Sequence, residues 1–163
     1  MMPLSIGRVF AGVDGTPGSL HALRQAVAFA RAFDAPLYPV LAWQPPGGEA
    51  QARIRPVPEL ERIWRQIAER KLYAAFEDGL GALPPDVHCE PQVVRGPTGY
   101  VLVSLADRPD DLLVIGTGRR GALTRIAHSR IAAYCIARAA CCVVAVPPPP
   151  LAGLSHHLRH LTV

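Results

Sequence analysis

Short, almost wholly apolar runs alternate along the chain with longer stretches whose apolar residues recur every three or four positions. Arg8-Val9-Phe10-Ala11-Gly12-Val13 ends at Asp14-Gly15 and reads as a buried strand. Thr16-Pro17 then supplies an N-cap with proline at the first helical position, and Leu20, Leu23, Val27 and Ala30 carry a helix to Phe33. Pro36 to Trp43 is the second apolar run. Gln44 to Pro58 contains Pro45-Pro46-Gly47-Gly48 and predicts an exposed excursion. Leu60, Ile63, Trp64, Ile67, Leu72 and Phe76 predict a long helix from Glu59 to about Leu80. Val87 to Val94 alternates loosely as a third strand closed by Arg95-Gly96-Pro97, and Tyr100 to Ala106 is a short helix. Asp111 to Ile115 is the fourth strand. Ser129 to Ala140 is a helix with Ile131, Cys135 and Ile136 on one face, and Val143 to Val146 is a fifth strand stopped by four prolines. Leu151 to Val163 is a histidine-containing tail with no assignable element.

Strands that are hydrophobic on both sides, separated by helices, belong to a parallel sheet covered on both faces. The pattern predicts a five-stranded, doubly wound α/β domain. Its ligand crevice is expected beyond the carboxyl ends of the strands, where the winding direction reverses.

Composition narrows the class further. A chain of 163 residues, half of them apolar, fits one globular domain with its own core. No run approaches the roughly 18 consecutive apolar residues of a membrane span. The opening Met1-Met2-Pro3-Leu4-Ser5-Ile6-Gly7-Arg8 lacks the basic-then-apolar form of a signal peptide, so a cytoplasmic location without membrane attachment is expected. The net charge of +4 comes from arginines scattered along the chain plus a single lysine, Lys71. Without one basic cluster, nucleic acid is not the expected partner. Cys89, Cys135, Cys141 and Cys142 have no metal-type spacing and read as small packing residues in a reducing compartment. His21, His88, His128, His156, His157 and His160 show no evident partners.

Two features stand at strand ends. Asp14 closes the first strand, and Gly116-Thr117-Gly118-Arg119-Arg120-Gly121 follows the fourth. Glycines there let backbone N–H groups approach a phosphate, Arg119 and Arg120 add charge-assisted bonds, and a helix starting near Ser129 adds its N-terminal dipole. The dinucleotide fingerprint expects such a string after the first strand with an acidic residue about twenty positions on. No Asp or Glu follows Asp111, so that reading fails. Walker A fails as well, because no Lys-Ser/Thr follows the glycines.

These residues resemble the universal stress protein family. The matching segments are Val9-Phe10-Ala11-Gly12-Val13-Asp14-Gly15-Thr16, Asp111-Leu112-Leu113-Val114-Ile115-Gly116-Thr117-Gly118 and Cys142-Val143-Val144-Ala145-Val146-Pro147, spread over residues 6 to 148. The resemblance implies a Rossmann-like nucleotide-binding, α-hydrolase-type architecture with strand order 3-2-1-4-5, in a domain over 1–148 and a tail over 149–163. It implies ATP, alone or with Mg, held by Gly12, Val13 and Asp14 after strand one. Asp14 would face the ribose and Ala42 would line the adenine pocket. Gly116, Thr117, Gly118, Arg119, Ser129, Arg130 and Ile131 would lie along the phosphates. It also implies a homodimer paired through the strand-five edge, Val143 to Val146. The chain departs from the family's Gly-x-x-Gly-(nine residues)-Gly-Ser/Thr pattern. Counted from Gly116, Arg119 stands at the second glycine and Ser129-Arg130 at the final pair. Gly118-Arg119-Arg120-Gly121 looks like an actinobacterial-type variant, in which His128 would precede the final pair. Ser129 fits a helix N-cap, whereas Arg130 could grip a phosphate by bidentate bonds.

The expected function is a cytosolic adenine-nucleotide-binding module of stress response or signalling, not an enzyme. The alternative is a member that has lost the nucleotide and acts as a dimeric interaction protein. Neither a Gly-x-Ser-x-Gly elbow nor paired metal carboxylates accompany the site, which argues against a hydrolase.

Overall fold

The computed structural model describes residues 5–117 and 122–149, the second segment by its backbone alone as far as residue 129. Strands β1 (Arg8–Gly12), β2 (Leu37–Trp43), β3 (Gln92–Arg95), β4 (Asp111–Gly116) and β5 (Cys142–Val146) alternate with helices α1 (Pro17–Phe33), α2 (Gly48–Ile54), α3 (Pro58–Leu80), α4 (Thr98–Leu105) and α5 (Ala122–Arg138). All pairings are parallel, in the order β3-β2-β1-β4-β5. The chain therefore folds as the expected five-stranded α/β sheet.

Alternation along β1 and β4 divides the core between two faces. Val9, Ala11, Leu112 and Val114 pack with α1 and α3, through Leu23, Val27, Leu72 and Phe76. Phe10, Leu113 and Ile115 pack with α4 and α5, through Val101, Leu102, Ala132 and Cys135. Both strands are buried on both sides, as helix-covered parallel strands must be. From β1 the sheet grows through β2 to β3 with helices on the first face. It then resumes on the other side of β1 with β4 and β5, under helices on the second face. The winding reverses between β1 and β4.

Four expectations change. The excursion over 44–58 is largely exposed, as expected, but it gains a helix: α2 forms within it and buries no residue. Arg95 holds it to the domain by bonds from its guanidinium to Glu49 at 2.9 and 3.0 Å and an ion pair with Glu61 at 3.0 Å, above the ring of Trp43. These contacts lower the Glu49 carboxyl below its ordinary range, chiefly through the hydrogen bond from Arg95. The third strand is shorter than Val87 to Val94. Pairing begins at an isolated bridge between Leu37 and Cys89, then breaks at Pro91, which has no N–H to donate, before β3 resumes at Gln92. Helix α4 begins two residues before Tyr100, at Thr98, and ends at Leu105. The last helix begins at Ala122 rather than Ser129, because Ala122, Leu123, Arg125, Ile126 and Ala127 all support helix. Ser129 lies about two turns inside α5 and is not its N-cap.

At the opposite end of β1 and β4, Arg8 forms a two-pronged bond to the fully buried Asp111, Nε and Nη2 each at 2.7 Å, and a further bond to Asp107 at 2.8 Å. The Arg108 amide donates to the same Asp111 carboxylate at 2.9 Å. A buried carboxylate is tolerated only with such a full set of partners. Replacing Asp111→Ala leaves Arg8 half-buried without its main counter-charge and should lower unfolding free energy by about 3–5 kcal/mol. Urea denaturation checks this. Removing the exposed i,i+4 pair Arg65–Glu69 by Arg65→Ala should leave the midpoint unchanged within error.

Candidate functional site

A narrow pocket of about 40 Å³, partly open to solvent, sits where the winding reverses. Its walls are Gly12, Val13 and Asp14 from β1 and the turn after it, Thr16 and Ser19 from the start of α1, and Ile115 and Gly116 from β4. Thr98 and Leu102 of α4 and Ile131 of α5 close the far side. Among the described residues the arrangement is a crevice with an apolar floor and a rim bearing one carboxylate and three hydroxyls.

Local chemistry sets the rim. The Asp14 Oδ1 accepts from the Thr16 amide at 2.9 Å and from the Thr16 hydroxyl at 2.6 Å. This tight turn is completed by Gly15 in the left-handed region, φ 79°. The Thr16 hydroxyl in turn accepts from the Ser19 amide, capping α1, and the Ser19 hydroxyl accepts from the Asp14 amide at 3.2 Å. Asp14 is thus fixed in orientation by the same residues that start the helix.

Two glycines have structural reasons of their own. A Cβ on Gly116 would lie 2.8 Å from the Gly18 carbonyl oxygen and 3.2 Å from the Ser19 amide nitrogen. Only glycine lets the end of β4 pass this close to the first turn of α1. A Cβ on Gly12 would meet Leu102 and Ile115 side chains at 3.2 and 3.4 Å, narrowing the pocket floor.

Of the residues expected to bind, the pocket gathers Gly12, Val13, Asp14, Gly116 and Ile131. Three do not join them. Thr117 turns away: its amide and its hydroxyl both donate to the Val146 carbonyl, at 2.9 and 3.3 Å, tying β4 to β5. Ala42 packs against the α4–α5 side of the core, one strand removed from β4, and does not line the pocket. Arg130 is exposed on α5 and is not among the lining residues. Gly118 and Arg119 lie outside the described residues, as does the side chain of Ser129. Because Ser129 is inside α5, its amide is spent on the helix ladder and is no N-terminal donor.

Thr16, Ser19, Thr98, Leu102 and Ile115 line the site without having been singled out. For Thr98 the signal was present, since it follows Gly96-Pro97 at a strand end and opens a helix. For Leu102 and Ile115 none existed, because an apolar residue lining a pocket has the same periodicity as one in the core. His88, expected to lack a partner, sits 2.7 Å from Glu90 on the far end of the sheet. Burial pushes the Cys89 and Cys135 thiols up to about 11, with Cys141 adding to the effect on Cys135, in keeping with packing rather than reactive roles.

A sequence model of the universal stress protein family matches residues 5–147. The chain belongs to the universal stress protein family. Solved structures agree with this membership. A universal stress protein in complex with cAMP is 26% identical over 87% of this chain and 97% of its own, with a TM-score of 0.54. The universal stress protein UspA from Lactobacillus plantarum is 16% identical over 87% and 98%, TM-score 0.62. A universal stress protein from Archaeoglobus fulgidus in complex with dAMP is 18% identical over 86% and 97%, TM-score 0.51. The latter two share the fold. None of the curated protein sequences compared matches the chain. Among the described residues of this universal stress protein, no helix is long and apolar enough to cross a membrane.

The close approach at Gly116 predicts that Gly116→Ala destabilises the domain by about 1–3 kcal/mol through backbone overlap with α1. Thermal and urea unfolding without ligand measure it; unchanged stability would show that α1 and β4 separate freely.

Proposed function

We propose that this universal stress protein domain holds an adenine nucleotide in the β1–β4 crevice and serves as a stress-response or signalling module with little or no turnover. The carrying observation is the convergence of Gly12, Asp14, Gly116 and Ile131 at the reversal of winding, beneath a carboxylate locked in place by Thr16. A carboxylate oriented there suits two ribose hydroxyls, which can donate to it, and the apolar floor suits a purine. The 26%-identical relative was solved with cAMP, an adenine nucleotide, which supports the same ligand class here. ATP, with or without Mg, is the proposed ligand. Its phosphates would run toward the segment after β4, where α5 begins. The domain is read as 1–148 with a tail over 149–163, acting in the cytoplasm and not on nucleic acid.

Pairing between copies forms the second part of the reading. β5 is an edge strand with one neighbour, β4, and its Cys142 and Ala145 are exposed. A short apolar edge of this kind is a template for a strand from a second copy. The proposed assembly is a homodimer joined along Val143 to Val146.

Isothermal titration with ATP-Mg should give one binding event per chain; no heat at millimolar ATP would sink the nucleotide reading. Sedimentation velocity should show a dimer, and a monomer at the highest soluble concentration would contradict the strand-five pairing.

A further inference from the structure

Helix α3 carries more apolar surface than the core takes up. Its buried side is Ala68, Leu72, Ala75, Phe76 and Gly79, packed on α1, β2 and β3. Leu60, Ile63 and Ile67 form a second stripe at helical spacing, and all three are exposed, Ile63 by 49% and Ile67 by 55%. Ahead of the helix, Val57 and Ile54 extend the stripe, with Ile54 exposed by 81%. Between α2 and α3 it opens into a groove of about 130 Å³, whose apolar walls include Pro46, Ala52, Val57, Leu60 and Trp64. A contiguous apolar strip of this kind marks a surface that another segment covers.

The stripe lies beyond the carboxyl ends of the strands. A Cβ on Gly15, in the turn after β1, would be 3.3 Å from Lys71 Cε, so Lys71 marks the level at which β1 ends. Helix α3 runs back against the strand direction. Ile67, Ile63 and Leu60 therefore stand about one, two and three turns outward of Lys71 on the same flank. Strand β5 ends at Val146 on this same edge of the parallel sheet, so the chain leaves it level with Lys71.

The fourteen residues 150–163 continue from there. Leu151, Leu154, Leu158 and Leu161 recur among them at intervals of three, four and three. Those leucines span ten positions, the same length as Val57 to Ile67. The reach is sufficient: β5 and β2 are three strand spacings apart, about 14 Å, and an extended proline run covers about 3 Å per residue. Charge agrees as well. The segment holds His156, His157, Arg159 and His160 but no acid, whereas the first turn of α3 carries Glu59 and Glu61.

We propose that residues 150–163 dock on this stripe of their own chain, passing beyond the ends of β4 and β1 to reach it. Running outward along α3 as an amphipathic helix, the segment sets Leu151 near Ile67, Leu161 near Val57 and its basic residues near Glu59. The docking stands whether or not the crevice takes a nucleotide.

The test is methyl nuclear Overhauser spectroscopy of the full chain, with a second sample mixing labelled and unlabelled copies to separate contacts within a chain from contacts between chains. The expected result is cross-peaks from the Leu154 and Leu158 methyls to those of Ile63 and Ile67, within one chain, and their loss in Ile63→Asp. Tryptic cleavage after Arg159 should be about tenfold faster in Ile63→Asp and in Leu154→Asp than in wild type, because docking shields the segment. Ile63 is outside the core, so the methyl shifts of Val9, Leu72 and Leu113 should stay in place. Equal cleavage rates, or Leu154 and Leu158 methyls without a contact on α3, would overturn the proposal. Cross-peaks seen only between copies would overturn it too, making the stripe an interface between chains.

Discussion

Everything at the site depends on one constraint: β1 and β4 lie side by side but send the chain to opposite faces of the sheet. Helix α1 leaves β1 on one face, and the chain beyond β4 joins the layer on the other. Among the described residues no element crosses the gap between the two strand ends, and topology leaves a crevice there. Its width is then set by side chains. Gly116 allows α1 to close on one wall, Gly12 keeps the floor open, and Leu102, Ile115 and Ile131 supply the apolar lining. The same hydrogen bonds that cap α1 orient Asp14, so the helix start and the ligand rim are one structure.

How far the sequence was readable follows from where each segment lies in this arrangement. β1, β2 and β4 are interior strands, so burial on both sides left apolar runs that could hardly be read otherwise. β3 is an edge strand of four half-buried residues, and its pattern was blurred by Pro91 and by the single bridge at Cys89. α2 buries no residue and is held by Arg95, so no periodicity announced it. The start of α5 was misplaced because Ser129 is a good cap residue by type, while the residues before it are sufficient helix formers.

The site was legible for the same reason in one part and obscure in another. Asp14 and Gly116 stand at strand ends, where a break in an apolar run is visible. Thr117 stands there too, yet its donors serve the β4–β5 junction, a choice made by a partner strand 29 residues away in a register that sequence does not display. Residues that act across elements are invisible to any window along the chain.

Amide chemical-shift mapping during titration with AMP tests the central claim most directly. The account predicts that the largest shifts fall on Gly12 to Thr16, Thr98, Ile115, Gly116 and Ile131, with little change along Arg31, Asp86 and His88 at the other end of the sheet. Shifts concentrated at that far end, or none anywhere at saturating ligand, would contradict it.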